Sequence, residues 1–162
     1  MPWDKPYFPA RNKCLDPALY ATPGRIVFFT LRVYRWQTAF VHADLNRAVI
    51  DDLIGYFVTR RCQLFTYCLM PDHLHFLITP EEKGVCTLAF TDRFKSMTTR
   101  RSWDLGWRGK LWQPRNYDHV VRDGEEDLVE IDAYIRANPV RKKFVEESAD
   151  WPWSGKANPL PL

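Results

Sequence analysis

Hydrophobic and polar positions along the chain change their period several times, and each change marks an element. Residues 25–34 (RIVFFTLRVY) are dense in β-branched and aromatic side chains and predict a strand. Over residues 43–60 the period lengthens: Leu45, Val49, Leu53 and Phe57 recur at every fourth position, the mark of an amphipathic helix, and Asp44 can cap its start. Two short apolar runs, 63–70 and 73–79, flank Pro71-Asp72 and read as a hairpin. A second helix is predicted over 85–103, with Leu88, Phe94 and Met97 inward and the basic residues outward. After a glycine-marked turn at 106–109, a strand is expected within 111–122, in the run NYDHVVR. The last long helix is expected to start at Asp123, where Glu126 completes a capping box, and to stop near Asn138, because Pro139 disfavours helical geometry in the residue before it. Residues 140–147 would add a helical turn.

The order β-α-β-β-α-β-α predicts an α+β, ferredoxin-like fold: a four-stranded antiparallel sheet with both crossover helices on one face. The other face then needs a cover or a job. A chain of 162 residues suits one cored domain. We read an irregular arm over 1–23, which carries Pro2, Pro6, Pro9, Pro17 and Pro23, one domain over 24–147, and an irregular, proline-rich tail over 148–162 packed on that domain.

Composition narrows the classes. With 46% apolar and 27% charged residues the chain matches neither wholesale disorder nor a collagen-like repeat. Its longest apolar stretches fall far short of the roughly 20 residues that cross a bilayer. The beginning MPWDKP has no apolar signal core, so a cytoplasmic location is expected. The cysteines at 14, 62, 68 and 86 form no C-x-x-C pair, and buried free thiols are expected.

The net charge of +3 says little about partners, but its distribution says more. Between positions 93 and 115, the cations Arg93, Lys95, Arg100, Arg101, Arg108, Lys110 and Arg115 face Asp104 alone, with Trp103, Trp107 and Trp112 interleaved. Cations hold phosphates and flat rings stack on unpaired bases, so the mixture suits single-stranded nucleic acid. It also suits a solvated helix face followed by a loop whose tryptophans belong to the core.

His73-Leu74-His75 puts two imidazoles on one face of a strand, about 7 Å apart along the backbone, and so offers a bidentate seat for a divalent metal. On the last helix, Leu128, Ile131 and Ile135 form the stripe that packs on the sheet, with Tyr134 and Asn138 four apart at its margin. Packing and a C-terminal cap would equally account for those two residues.

Three spaced segments, YCLMPDHLHFL (67–77), WQPRNYDHVVR (112–122) and YIRANPV (134–140), closely resemble the REP-associated tyrosine transposases, relatives of the single-tyrosine HUH transposases in which U is a hydrophobic residue. The resemblance runs from about Gly24 to Ser154. It implies a ferredoxin-like domain with the HUH pair on a central strand, and a bacterial nuclease and strand transferase that acts on single-stranded DNA beside hairpins. By position, His73 and His75 match the metal-binding pair, Asn138 a polar third ligand and Tyr134 the nucleophile of a 5′-phosphotyrosine intermediate. His119 matches an auxiliary histidine of undecided role. Asp72 stands where many relatives have Asn or Glu, a change expected to matter little.

In this light the seven cations above, with Trp112, Arg141 and Lys142, become candidate DNA contacts. The acidic run Asp123, Glu125, Glu126, Asp127, Glu130 and Asp132 reads as a face turned away from DNA. The resemblance implies Mg²⁺ or Mn²⁺, no nucleotide cofactor, a monomer rather than a homodimer, and association with the nucleoid when DNA is bound. Two other readings compete: a hairpin-binding protein of the same fold without turnover, and a metal-dependent phosphohydrolase that uses water.

Overall fold

The computed structural model describes residues 16–122 and 127–161. Most of the arm over 1–23, with Cys14, lies outside the described residues, as do Asp123, Glu125 and Glu126 and the side chain of Phe57. From residue 16 on, the arm contains one 3-10 turn, Pro17–Tyr20, capped by the Asp16 carboxylate.

Strand β1 (Val27–Arg32) leads to helix α1 (Ala43–Thr59), the hairpin β2 (Cys62–Met70) and β3 (His73–Pro80), helix α2 (Thr87–Asp104) and strand β4 (Tyr117–Val120). Helix α3 (Leu128–Arg136), the single turn α4 (Asn138–Arg141) and strand β5 (Ser154–Lys156) follow. The sheet runs β4-β1-β3-β2-β5 with antiparallel pairing throughout, which is the ferredoxin-like order with one strand added. β3 is central and buried along its whole length, as its near-continuous apolar sequence requires.

Alternation along the strands sorts the side chains onto two faces. On one face Phe29, Leu31, Leu74, Phe76 and Ile78 pack beneath Leu45, Val49 and Leu53 of α1 and Phe94 of α2. On the other, Phe28, Leu77, Cys68 and Met70 pack against Ile131 and Ile135 of α3. An extra residue at Phe65 breaks the β2–β3 register between Leu64 and Thr66 and reverses the alternation of β2, so Cys62 and Leu64 face one core and Cys68 and Met70 the other.

Several expectations need correction. α1 begins at Ala43, so Asp44 sits within its first turn and favours the helix dipole without occupying the cap position. The expected cap of the last helix lies outside the described residues; α3 is capped at Asp127, whose carboxylate accepts from Val129 N. α3 ends at Arg136, and a separate turn starts at Asn138 with Pro139 as its first interior residue, where a missing N–H costs nothing. α2 buries Thr87, Thr91, Thr98 and Ser102 beside Phe94, a polar stripe that an apolar count overlooks. The hydroxyls of Thr91 and Thr98 donate to carbonyls one turn back and so are satisfied without water.

The tail is not wholly irregular, because residues 154–156 supply a fifth strand beside β2. Leu69 N donates to Trp153 O at 2.8 Å, and the Trp151 indole donates to Leu69 O at 2.9 Å. Gly155 pairs with Tyr67, and a Cβ there would stand 2.7 Å from the Tyr67 hydroxyl. Gly155→Val is therefore expected to lower stability by about 1–3 kcal/mol through overpacking, measurable by urea unfolding; an unchanged midpoint would show that β5 is dispensable.

Candidate active site

The face under α3 is where the sequence-predicted residues meet. His73 and His75, two positions apart on β3, hold their ring centroids 4.6 Å apart, closer than the backbone spacing. Each is only 6% exposed. Asn138, 65 residues from His73 in the chain, brings its amide nitrogen 3.2 Å from His73 Nε2. The Tyr134 ring lies 6.3 Å from the His75 ring, and Phe28 touches both of those rings from β1.

The outer nitrogens are held by neighbours. Asp72 Oδ1 is 2.5 Å from His73 Nδ1, and Thr30, the register partner of His75 on β1, has its hydroxyl 2.8 Å from His75 Nδ1. With a proton on each Nδ1, both Nε2 lone pairs face inward. Burial pushes the His73 ring below its ordinary value against the opposing pull of Asp72. Burial also pushes His75 well down, helped by the charges of His73, Arg32 and Arg141. Neutral rings with aligned lone pairs are the form that ligates a metal. Two imidazoles and a carboxamide oxygen, once the Asn138 amide turns, make a coherent set of donors for one divalent ion. Among the described residues no group of three His, Cys, Asp or Glu side chains forms another such centre.

Asp72 is the residue that the sequence undervalued. The His73 hydrogen bond holds its carboxyl below the usual range, and an acid in this place orients the imidazole. Its place beside a histidine at a hairpin turn was the available signal. Thr30 carried no signal of its own, because only the β1–β3 register brings it to His75.

Arg141 stacks its guanidinium 3.9 Å over the Tyr134 ring and donates to Tyr134 O at 3.0 Å, so it belongs to the surroundings of the tyrosine. Lys142 is exposed, and its charge reaches His73. His119 pairs with Phe28 across β4 and β1, on the same sheet face as the histidine pair but one strand further out.

The basic stretch is different. α2 lies over the opposite face of the sheet. Lys95 donates to Gln113 O at 2.7 Å, Pro114 O at 3.2 Å and Asn116 Oδ1 at 2.7 Å, and burial lowers its ammonium. Trp112 is buried and donates its indole N–H to Thr98 Oγ1 at 2.8 Å. Trp112 is corrected from a candidate DNA contact to part of the core, and Lys95, half-buried, has its ammonium occupied by three acceptors of the 113–116 loop. Arg93, Arg100, Arg101, Arg108, Lys110 and Arg115 are exposed; Arg101 lies 3.9 Å from Asp52, Lys110 stacks on Tyr34, and Arg108 flanks an open groove with Trp103 and Trp107.

Asp132 also departs from expectation. It is buried, accepting from the Thr66 hydroxyl on β2 and pairing with Arg136 at 3.0 Å and Lys156 at 3.2 Å. Burial alone would raise its carboxyl; the three donors together hold it below the ordinary value. α3 is thereby tied to β2 and β5, which sets where Tyr134 stands. The thiols of Cys62 and Cys68 are buried, free and pushed up to about 12, so neither is a ready nucleophile.

No family model matches the chain. Two curated relatives described as REP-associated tyrosine transposases are similar to it over most of their length. The one from Haemophilus influenzae is 27% identical over 151 residues, 82% of this chain and 80% of its own. The one from Escherichia coli is 28% identical over 137 residues, 83% of this chain and 78% of its own. A solved structure of a REP-associated tyrosine transposase bound to a REP hairpin superposes with a TM-score of 0.67 and 26% identity, over 83% of this chain and 78% of that one. The chain thus resembles REP-associated tyrosine transposases in both sequence and fold, as its motifs led us to expect. Among the described residues no helix is long and apolar enough to cross a membrane.

Asp132→Asn is expected to cost about 1.5–3 kcal/mol at neutral pH, the range for hydrogen bonds to a charged group. This is less than for a fully buried pair, because Arg136 and Lys156 can turn to water. A carboxyl held below its unfolded value stabilises above that value and loses its contribution as pH falls through the folded one. The deficit of the variant should therefore be full at pH 7 and shrink below about pH 3.8, which paired urea titrations would read. A pH-independent deficit would mean that the charge is not what matters.

Proposed function

We propose that the chain is a metal-dependent DNA strand transferase that cleaves and rejoins single-stranded DNA beside hairpins through a tyrosine-linked intermediate. The observation that carries this reading is the meeting of His73, His75, Asn138 and Tyr134 on one face of the sheet, from elements far apart in the chain. The relative solved with a REP hairpin supports hairpin DNA as the substrate class.

His73, His75 and Asn138 would hold a divalent cation, Mn²⁺ or Mg²⁺, which when bound polarises the scissile phosphate and offsets charge in the transition state. Imidazole donors favour Mn²⁺ over Mg²⁺. The Asp72 carboxylate, accepting from Nδ1, leaves His73 Nε2 free to ligate, and the Thr30 hydroxyl would do the same for His75 when it accepts from that ring. Tyr134 attacks phosphorus: its phenolic oxygen forms the new P–O bond, the bond to the 3′ oxygen breaks, and the phenolic proton passes to solvent or to the leaving oxygen. The products are a 5′-phosphotyrosine and a free 3′-hydroxyl, and attack by a 3′-hydroxyl reverses the step. One phosphodiester replaces another, so no nucleotide cofactor is consumed. Arg141, stacked on the ring and bonded to the Tyr134 carbonyl, holds the orientation of the tyrosine.

Incubating the protein with labelled hairpin oligonucleotides and Mn²⁺ should give DNA-linked protein on a denaturing gel, and Tyr134→Phe should abolish the adduct while folding and DNA binding persist. Cleavage by both proteins without adduct would identify water as the nucleophile. Binding without cleavage, on oligonucleotides carrying the repeats beside the gene, would leave a hairpin-binding protein. Asp72→Ala should weaken Mn²⁺ binding by about 10–100-fold in calorimetry, whereas an unchanged affinity would deny Asp72 its orienting role.

A further inference from the structure

Beside the histidine pair lies a cluster that the mechanism above does not use. Arg32, the last residue of β1, is the register partner of His73, so its side chain leaves the sheet on the same face. Its guanidinium carbon stands 4.6 Å over the Trp36 ring and 5.8 Å from the Tyr117 ring. Standing opposite His73 at the end of its strand, Arg32 lies at the edge of the site. Its Nε is buried with no hydrogen-bond partner among the described residues. The neighbouring carboxylate that could neutralise it, Asp72, is committed to His73. A cation kept in an aromatic frame and lacking a partner for a buried N–H is fitted to accept an anion from outside.

Trp36 points the same way. It is 58% exposed and follows Arg35 in left-handed backbone, with φ of 54° and 60°, a conformation that non-glycine residues rarely adopt. Trp103, Trp107, Trp112 and Trp151 each donate their indole N–H within the fold and Trp153 packs against the core, whereas Trp36 does neither among the described residues. Its conformation serves to hold an aromatic ring outward beside Arg32, and outlying backbone of this kind gathers at binding sites.

We propose that Arg32, Trp36 and Tyr117 form a nucleotide seat at the edge of the His73–His75 site, the guanidinium taking a backbone phosphate of single-stranded DNA and the open face of Trp36 stacking on a base. The seat rests on the strand-transferase reading. It would hold the strand next to the scissile link, away from the basic face of α2.

The test uses the Tyr134→Phe protein in EDTA, so that neither cleavage nor metal contributes, with a labelled single-stranded oligonucleotide followed by fluorescence anisotropy across salt concentrations. Trp36→Ala should weaken binding by about 5–100-fold while leaving the salt dependence unchanged. Arg32→Gln should flatten the slope of log K against log salt by about 0.7, the value for one phosphate contact on a single strand, and Arg32→Lys should restore it. A purely structural role would lower the thermal midpoint without changing that slope. Variants that bind as their parent does, with the parent slope, overturn the seat. A parent that binds no single-stranded DNA overturns the strand-transferase reading and the seat with it; a parent that binds while the variants are silent overturns the seat alone.

Discussion

A carboxylate taken out of water has to be met by donors, and the way Asp132 is met decides how α3 sits over the histidine-bearing face of the sheet. Its partners come from β2, from its own helix one turn on, and from the added strand β5. Because hydrogen bonds to a buried charge tolerate little displacement, α3 is held in position and rotation as well as by apolar contact. Tyr134 lies on that helix and Asn138 one residue beyond its C-cap, so their distance from the histidines is set by a residue that does no chemistry. Ile131 and Ile135 supply the burial that pulls α3 onto the sheet, while the ion network chooses among the ways it could sit.

The two faces of the sheet divide the labour. β3 contributes Leu74, Phe76 and Ile78 to the larger core and His73, His75 and Leu77 to the other side, so alternation along one strand separates that core from the histidine pair. Both faces are covered, yet the cover differs: two long helices on one, a short helix and a single turn on the other. A fold with this asymmetry can replace residues on the α3 side without disturbing its main core.

Much of this was legible in the chain. The order of elements followed from changes of period, and His73-Leu74-His75 announced itself because a strand repeats every two residues. Tyr134 and Asn138 were legible because a helical turn separates them, although their meeting with the histidines depends on tertiary packing that spacing cannot express. What escaped were residues whose role depends on an unseen partner. Asp132 looked like one acid among six until Thr66 and Lys156 were beside it. Lys95 and Trp112 belonged by composition to a nucleic-acid patch, yet their polar atoms end on Asn116, on loop carbonyls and on Thr98. The inward stripe of α2 is built from threonines, which an apolar count treats as surface. β5 is three residues long in a proline-rich tail, below the length at which alternation can be recognised.

The 65 positions between His73 and Asn138 also bear on how the protein is made. As the chain leaves the ribosome, the hairpin with both histidines emerges well before Tyr134, Asn138 and Lys156. A nascent or truncated product could therefore display the imidazoles without the tyrosine or the strand that seats it. The site is therefore assembled late, when α3, Asn138 and Lys156 close over a hairpin that has already been made.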